Sequence, residues 1–527
     1  MVKILITCSG IGSRMGEFTN YTNKSLLKIG DKFVVDYILD LFKNIKNVQY
    51  IITLGHFGDF VKQYLILAYP NLNFIFVKVD KYSGPGSSLV YSLLKAKKYI
   101  QEPFIYITCD TIILDNLKYP HDYKIQSNKL YLYKNKCSQN YASVICQKNT
   151  IKTINDKNSK IFDYIYLGKS EIFDYQLFWN ILQHIYDKSS NCFNKGDVNV
   201  YRKMLQTKTF YFKIINQYFD AGNINVFQSY INKNNEYDVL IKYDESITFH
   251  HDKVIKFFYN KEKNLKRIKR FQYLTDVAPK ILNYSDNFHV IEKINSRPIS
   301  ENNDRHLIFK LLTWSKNNLW KSFQDTPTNF KTIIRDFYYV KTMKRIKKAL
   351  EMKIDDYKII NGINIGNIDK IISQVDFNLL CNENISYNFH GDFILDNILS
   401  NSDDNSSFKL IDWREDFGGD LKHGDIYYDL AKLKHNIFFN HKNIEQKLYK
   451  VEQIQESECV VDLKCNYNLI SQINDFEKFV EKNGFNNNKI NILMSLIWIN
   501  MAPLHEYPLN VFLFNFGKYN LYFHNKK

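Results

Sequence analysis

The 527-residue chain has no C-x-x-C pair and no regular cysteine spacing. Its eight cysteines, at 8, 109, 137, 146, 192, 381, 459 and 465, argue for neither a zinc site nor a disulfide framework. They read as reduced, partly buried thiols of a cytoplasmic protein. No apolar run reaches the roughly 20 residues needed to cross a bilayer. The best candidate, Ile490–Leu504, is interrupted by Asn and Ser and reads as a core helix. No signal peptide precedes the strand-like segment that follows Met1. Nor does any long basic block account for the formal charge of +16. The lysines are spread along the chain, and KNLKRIKR (263–270) and KTMKRIKK (341–348) read as exposed faces of amphipathic helices. That distribution speaks against nucleic acid as a partner. What is present is globular: 45% hydrophobic and 24% charged residues, on a chain long enough for two to four domains. The oligomeric state is left open.

The first half alternates strands and helices. KILITC (3–8) reads as a buried strand, and a Gly- and Ser-bearing loop, 9–16, follows it. Helical spacing at 33–45, near 57–69 and at 87–99 alternates with strands at 48–54, 73–79 and 103–109. Such alternation predicts a parallel sheet with its ligands at the carboxyl ends of the strands. Three features fall there: the loop with Gly10, Gly12 and Ser13, the turn 83–88 with Gly84, and Cys109-Asp110. The first loop lacks the third glycine of a dinucleotide fingerprint and the G-K-[ST] of a Walker loop. It offers open backbone for phosphate, with Arg14 and Lys24 as cations. Two cations at one sheet end suit a triphosphate attacked at its α-phosphorus, with Asp110 as a metal ligand.

These residues resemble a known signature. G-I-G-S-R-M-G…N-K-S-L-L-K-I-G-D-K-F-V-V-D-Y-I-L is similar to the pattern of sugar-1-phosphate and phosphocholine nucleotidyltransferases. The resemblance covers about residues 1–232. It implies that Gly10, Gly12, Ser13 and Arg14 form the nucleotide-phosphate loop and that Lys24 is the family's catalytic lysine. Gly84 then lies in the base-binding turn, and Asp110 binds magnesium. Tyr218-Phe219-Asp220-Ala221-Gly222-Asn223 resembles the late W-x-D-[IV]-G-T element, which makes Asp220 the second magnesium ligand. Asp156-Lys157 is set against the family's E-K-P lysine, giving Lys157 to the substrate phosphate. Lys24-Ser25 stands where the family has Lys-Pro, and the choice between CTP and UTP stays open.

A polar stretch at 232–237 is the expected linker. Strands follow at 238–243, 246–250 and 253–258, and the pattern turns helical from 302 to the end. A lysine inside an apolar strand suits a grip on the phosphates of ATP. Lys256 is the candidate, with Lys242 competing and Glu262 as an ion-pair partner. The densest signal is 389–413, FHGDFILDNILSNSDDNSSFKLIDW. Its H-G-D-x-x-x-x-N shares the register of the protein-kinase catalytic loop. This half resembles the aminoglycoside phosphotransferase and choline kinase fold, which carries H-[GN]-D-x-x-x-x-N and then [IV]-D-[WF]. The resemblance implies Asp392 as catalytic base and Asn397 and Asp412 as magnesium ligands. Asp425 either positions the catalytic loop or contacts a cationic substrate, and the former is favoured. His390 reads as structural. A-P-E and D-F-G elements are missing, which favours a small-molecule kinase.

The expected fold is therefore α/β. A Rossmann-like nucleotidyltransferase domain at 1–232 has a parallel-type sheet flanked by helices. A bilobal kinase-like α+β domain spans 238–527, with an N-lobe at about 238–300 and a C-lobe at about 301–527. The expected function is bifunctional: ATP phosphorylates a small alcohol, and CTP (or UTP) then activates the phosphomonoester as a precursor of surface polysaccharide, with Mg2+ at both sites. Choline or ethanolamine is one candidate alcohol; a cage for choline would draw on Trp413, Tyr427 and Tyr428. A sugar kinase joined to a sugar-1-phosphate nucleotidyltransferase is the alternative, and a non-catalytic nucleotide-binding scaffold is a third.

Overall fold

The computed structural model describes residues 1–188, 196–234, 243–403 and 405–525. It separates into two compact units. The first comprises Met1–Lys261 with Asn283–Val290, and the second comprises Glu262–Leu282 with Ile291–Lys527.

The first unit is built on nine strands: β1 (Val2–Cys8), β2 (Val48–Leu54), β3 (Asn73–Lys78), β4 (Phe104–Thr108), β5 (Asn128–Tyr133), β6 (Ser143–Gln147), β7 (Thr150–Asn155), β8 (Tyr164–Ile172) and β9 (Phe210–Ile215). Their order is β3-β2-β1-β4-β8-β5-β9-β7-β6. β1 is central, parallel to β2 from Val2↔Val48 to Cys8↔Leu54 and to β4 from Lys3↔Phe104 to Thr7↔Thr108. Every residue of β1 is buried, because helices cover both faces of a parallel core. Its period-2 alternation sends Ile4, Ile6 and Cys8 to one apolar cluster and Leu5 to the other. The flanking helices Val34–Asp40, Gly58–Ala68 and Leu89–Ala96 form where the spacing predicts them. One expectation needs correction: the sheet is parallel only as far as β4. β8 runs antiparallel to β4 and to β5, while β5 and β9 pair in parallel, so the whole sheet is mixed.

The strands expected to open the second domain lie elsewhere. Glu245–His250 and Lys253–Phe258 form an antiparallel hairpin that is counted with the first unit. Ile255, Phe257, Phe288 and Val290 join the cluster that contains Val61, Tyr64 and Leu65, so apolar burial draws this β-rich segment onto the core of the first unit. Of the expected linker, residues 235–237 lie outside the described residues, as do 238–242, including Lys242. Residues 232–234 close the helix Ile224–Asn234.

The second unit is mainly helical, with Leu307–Asn318, Lys341–Glu351, Ile426–Phe438, Ile473–Lys482, Asn487–Met501 and Leu509–His524 as its principal helices. Ile426–Phe438 and Asn487–Met501 are almost wholly buried and form the core, as the apolar run after 490 predicts. A short hairpin, Ile398–Ser400 with Phe408–Leu410, carries the loops on either side of it. A further antiparallel pair, Tyr449–Gln455 with Glu458–Leu463, interrupts the region expected to be helical throughout. Among the described residues no helix is long and apolar enough to cross a membrane. The seven described cysteines are free thiols.

Candidate functional sites

In the first unit the site forms where β1, β2 and β4 end. Gly12 takes the left-handed conformation at φ 74°, which opens the turn Ser13–Thr19. A Cβ built there would meet Thr19 at 3.1 Å and Lys24 at 3.4 Å, so the loop lies directly over Lys24. Lys24 begins a short turn whose N-cap is Asn23. Asn23 is fully buried, and its amide donates to Cys8 O (2.9 Å) and to His56 O (2.6 Å) while its oxygen accepts from Ser25 N (2.9 Å). It thereby ties the lysine loop to the chain leaving β1 and β2. Nothing in the sequence pattern singled out Asn23, since its amide acts on backbone groups distant along the chain.

Lys24 Nζ stands 2.6 Å from Asp110 Oδ2. Asp110 leaves β4, and its carbonyl accepts from Ala221 N (2.9 Å). Asp220 arrives on the strand Tyr218–Asp220, which pairs antiparallel with Thr111–Ile113. One oxygen of Asp220 accepts from Tyr141 Oη (2.6 Å) and the other from Gly222 N (2.9 Å). Gly222 sits between the two carboxylates: a Cβ there would meet Asp110 Oδ2 at 2.5 Å and Asp220 Oδ1 at 3.2 Å. Burial would raise the Asp110 carboxyl, but the charge and hydrogen bond of Lys24 outweigh it and hold it down to about 2. Burial first, and then the charge of Asp110, push Asp220 up from the ordinary carboxylate value. The exposed guanidinium of Arg14 acts electrostatically on Lys24, Asp110 and Asp220.

Two hard oxygen donors side by side fit a magnesium-type cation. Such an ion takes one or two protein carboxylates and completes its shell with phosphate and water. No group of three or more acidic, His or Cys side chains able to hold a metal occurs among the described residues. Phosphate and water would therefore have to supply the remaining ligands. Gly84, at φ 69°, lies in an exposed turn ahead of the helix Leu89–Ala96, which Ser88 caps. Gly10 and Ser13 are exposed on the first loop. Among the described residues, no hydrogen bond or ion pair brings Lys157 to this cluster. It lies at an exposed turn after β7, beside Asp156, which Arg202 binds at 2.8 Å.

In the second unit the stretch 389–413 is held from behind by Asp429. This fully buried carboxylate accepts from His390 N (2.7 Å), Gly391 N (2.7 Å) and Trp320 Nε1 (3.0 Å). Asp425, expected to position the loop, instead caps the helix Ile426–Phe438 by accepting from Tyr427 N (3.0 Å), and it also accepts from Tyr338 Oη (2.8 Å). The positioning carboxylate is thus one helical turn further on than expected. His390 spends both ring nitrogens on backbone: Nε2 donates to Ile411 O (2.9 Å) and Nδ1 accepts from Asp392 N (3.3 Å). Burial pushes its pKa down to about 4, so the ring is neutral. Gly391, at φ 84°, has no room for a Cβ, which would meet Arg414 at 2.6 Å.

Asp392 Oδ1 pairs with Lys432 Nζ at 2.7 Å. The Asn397 amide donates to Asp392 O (3.0 Å) and Oδ2 (3.2 Å). Burial opposes ionisation of Asp392, but the charge and hydrogen bond of Lys432 win and hold the carboxyl well below its usual range. Asp412 follows the second hairpin strand in the left-handed region at φ 58°, with Arg267 Nη1 3.5 Å away. A strained backbone of this kind persists where its surroundings over-determine it. The structure brings Asp392 and Asn397 into direct contact and sets Asp412 at the same open end of the hairpin as Asn397, whose carbonyl accepts from Ile411 N (2.9 Å). An oxygen-donor set of this type again suits magnesium.

The basic run 263–270 is not only surface. Arg270 is fully buried beneath the loop, stacked 3.7 Å from the Phe389 ring centroid. It donates to Phe389 O, to His390 O (3.4 Å) and to Arg414 O (2.8 Å). Lys256 is buried in the first unit, on Lys253–Phe258, and Glu262 binds Lys266 at 3.0 Å. Trp413, Tyr427 and Tyr428 do not form one cage. Trp413 is buried with its Nε1 on Arg267 O (3.0 Å), and the ring of Tyr427 lies under Lys489 Nζ (4.0 Å). Tyr428 lines a cavity.

No family model matches the chain. Over 65 residues it is 34% identical to a probable glucose-1-phosphate cytidylyltransferase of Bacillus subtilis (strain 168), a stretch that is 12% of this chain. The chain spans about a quarter (26%) of the length of that relative. Among solved structures it is similar to a CTP:phosphocholine cytidylyltransferase from Streptococcus pneumoniae, at 18% identity and TM-score 0.37, over 43% of this chain and 96% of that one. It is also similar to a UDP-glucose pyrophosphorylase complexed with UDP-glucose, at 17% identity and TM-score 0.37, over 44% and 99%.

Proposed function

We propose that the first unit transfers a nucleotidyl group from a nucleoside triphosphate to a phosphomonoester, and that the second unit makes a phosphomonoester from an alcohol and ATP. The observation that carries the first reading is the Lys24–Asp110 pair (2.6 Å) set against Asp220 across Gly222. A phosphomonoester oxygen attacks the α-phosphorus of the triphosphate. The bond to the bridging oxygen breaks, and pyrophosphate leaves with its electron pair. Lys24 and Arg14 neutralise the charge that gathers on the phosphoryl oxygens, an effect strongest in a site closed to water. Asp110 and Asp220 would hold a magnesium ion, which would supply further charge neutralisation. Gly10, Gly12 and Ser13 let the backbone approach the phosphates, Gly84 lies in the base-binding turn, and Lys157 serves the substrate phosphate. The short identity with a cytidylyltransferase favours CTP over UTP.

In the second unit Asp392 orients the alcohol's hydroxyl as a proton acceptor, with Asn397 and Asp412 as candidate magnesium ligands beside ATP. Lys256 belongs to the first unit, and no part in this chemistry is assigned to it. The scattered Trp413, Tyr427 and Tyr428 favour a sugar or polyol over choline as the alcohol. The product is a nucleoside-diphosphate precursor for surface polysaccharide, made in the cytoplasm. A scaffold without catalysis is disfavoured by the retention of Lys24, Asp110, Asp392, Asn397 and Asp412 together. The test is phosphorus NMR on a panel of alcohols, amino alcohols and sugars with ATP, followed by CTP or UTP. A phosphomonoester and then an NDP-linked product are expected. A complete panel without a phosphomonoester would overturn the kinase reading, and no pyrophosphate from any supplied phosphomonoester would overturn the transferase reading.

A further inference from the structure

Beside Asp392 the second unit holds a cavity of about 160 Å³ with an unusual charge pattern. Its lining includes Lys341 and Arg345 from the helix Lys341–Glu351, Arg414 from the loop after Asp412, and Lys432, with Phe337 and Tyr428 as aromatic walls. No acidic side chain lines it. Lys432 is already paired to Asp392 at 2.7 Å. Lys341, Arg345 and Arg414 have no carboxylate partner among the described residues. The acidic residues that follow Arg414 are engaged elsewhere, Glu415 with Arg267 (3.7 Å) and Asp416 with Lys266 (3.1 Å). Arg414 Nε is buried without any hydrogen-bond acceptor. Lys341 Nζ lies 4.3 Å from the Phe337 ring centroid and 5.6 Å from that of Tyr428. Burial, and beyond it the charges of Arg414, Lys432 and Arg345, push the Lys341 pKa down against the opposing charge of Tyr428.

Collecting cations in a half-buried cavity costs stability unless an anion joins them. Neither Asn397 nor Asp412 lines the cavity. The side that suits a metal-bound polyphosphate is therefore distinct from the cationic side. Asp392 stands between the two, joined to the cavity through Lys432.

We propose that the alcohol phosphorylated by the second unit carries an anionic group, a phosphate or a carboxylate, that seats against Lys341, Arg345 and Arg414 while its hydroxyl reaches Asp392. The inference rests on the phosphotransfer reading. The hydroxyl oxygen attacks the γ-phosphorus of ATP, the bond from that phosphorus to the β,γ-bridging oxygen breaks, and ADP leaves with the electron pair. The hydroxyl proton passes to the Asp392 carboxylate and then to water. Three unpaired cations match a dianionic phosphate better than a carboxylate, and the planar forks of two arginines bind phosphate oxygens in pairs. A cationic alcohol such as choline is excluded by the same charges.

The test uses the full chain in two arms. Inorganic phosphate is titrated by calorimetry into the wild type, Arg345→Met and Arg345→Lys. One binding event is expected to weaken about tenfold or more in Arg345→Met, the loss of one charge-assisted contact. Arg345→Lys should keep part of it and reports that the fold is intact. If a saturating non-hydrolysable ATP analogue displaces that phosphate, the cations serve the nucleotide and the inference falls. In the second arm, glycerol 3-phosphate, glycerate, glycerol and choline are offered with ATP, and phosphorus NMR follows the products. The two acidic alcohols should exceed glycerol and choline by tenfold or more in kcat/KM, with a raised KM in Arg345→Met, and their ratio separates phosphate from carboxylate. Equal or better use of glycerol or choline overturns the inference while leaving phosphotransfer intact. An Arg345-dependent phosphate event with no phosphorylation of any alcohol in a wider panel overturns the phosphotransfer reading itself.

Discussion

Replacing Lys24 by Met tests the chemistry assigned to the first unit. The ammonium lies 2.6 Å from Asp110 Oδ2, and the side chains are only 17% and 14% exposed. The pair holds the Asp110 carboxyl down to about 2 from an ordinary 3.8. A shift of nearly two units corresponds to roughly 2.5 kcal/mol. The folded Asp110 binds fewer protons than the unfolded chain between pH 2 and 4, so this stabilisation is complete above about pH 4 and is lost as pH falls toward 2. In Lys24→Met the desolvation of Asp110 is no longer offset, and its carboxyl titrates above 3.8. The triphosphate also loses a cation, an electrostatic contribution of typically about 10²–10³ in rate. Pyrophosphate release should be measured from pH 4.5 to 8 with a phosphomonoester that the wild type accepts. The wild type should show no acid limb from Asp110, whereas Lys24→Met should be at least about 10²-fold slower at pH 7.5 and should gain such a limb. A variant within threefold of the wild type, with an unchanged profile, would refute the role of the pair.

Gly222→Ala should push Asp110 and Asp220 apart, since the new Cβ would lie 2.5 Å from one carboxylate oxygen; displacement on this scale predicts about a 10²-fold loss of pyrophosphate release, checked by the same assay with circular dichroism as the fold control. Asp429→Asn turns one acceptor oxygen into a donor facing the amides of His390 and Gly391. A destabilisation of about 1.5–3 kcal/mol and a drop in ADP formation are expected, read by urea unfolding and a coupled ADP assay. His390, buried and pushed down to about 4, is neutral in the fold and protonates more readily in the unfolded chain. Its contribution, on the order of 3 kcal/mol, is present above about pH 6.5 and lost as pH falls toward 4. In His390→Gln the slope of stability against pH across that window should be shallower.

The elements of the first unit were legible where burial is periodic. KILITC gives β1 because a central parallel strand must be apolar on both faces, and Asp110 was legible because it follows such a strand. The hairpin at 245–258 was assigned to the wrong side of the boundary. Its alternation shows that one face is buried, and only packing reveals which core buries it. Asp392, Asn397 and Asp412 stand out in the sequence as candidates by their spacing. Asn23, Asp429 and Arg270 do not, since each acts on backbone groups far away in sequence and leaves no local pattern. Lys341 and Arg345 sit in a run that resembles a solvated helix face. Their inward direction depends on where the helix packs, and with it the charge of the cavity.

The central claim is that two separate sites do two reactions. It is tested most directly by measuring ADP formation and pyrophosphate release in parallel for Asp392→Ala and Asp110→Ala. Asp392→Ala should end ATP-dependent phosphorylation while pyrophosphate release from a supplied phosphomonoester continues. Asp110→Ala should end pyrophosphate release while ADP formation continues. If either substitution removed both activities from a folded chain, or neither, the two-site account would be contradicted.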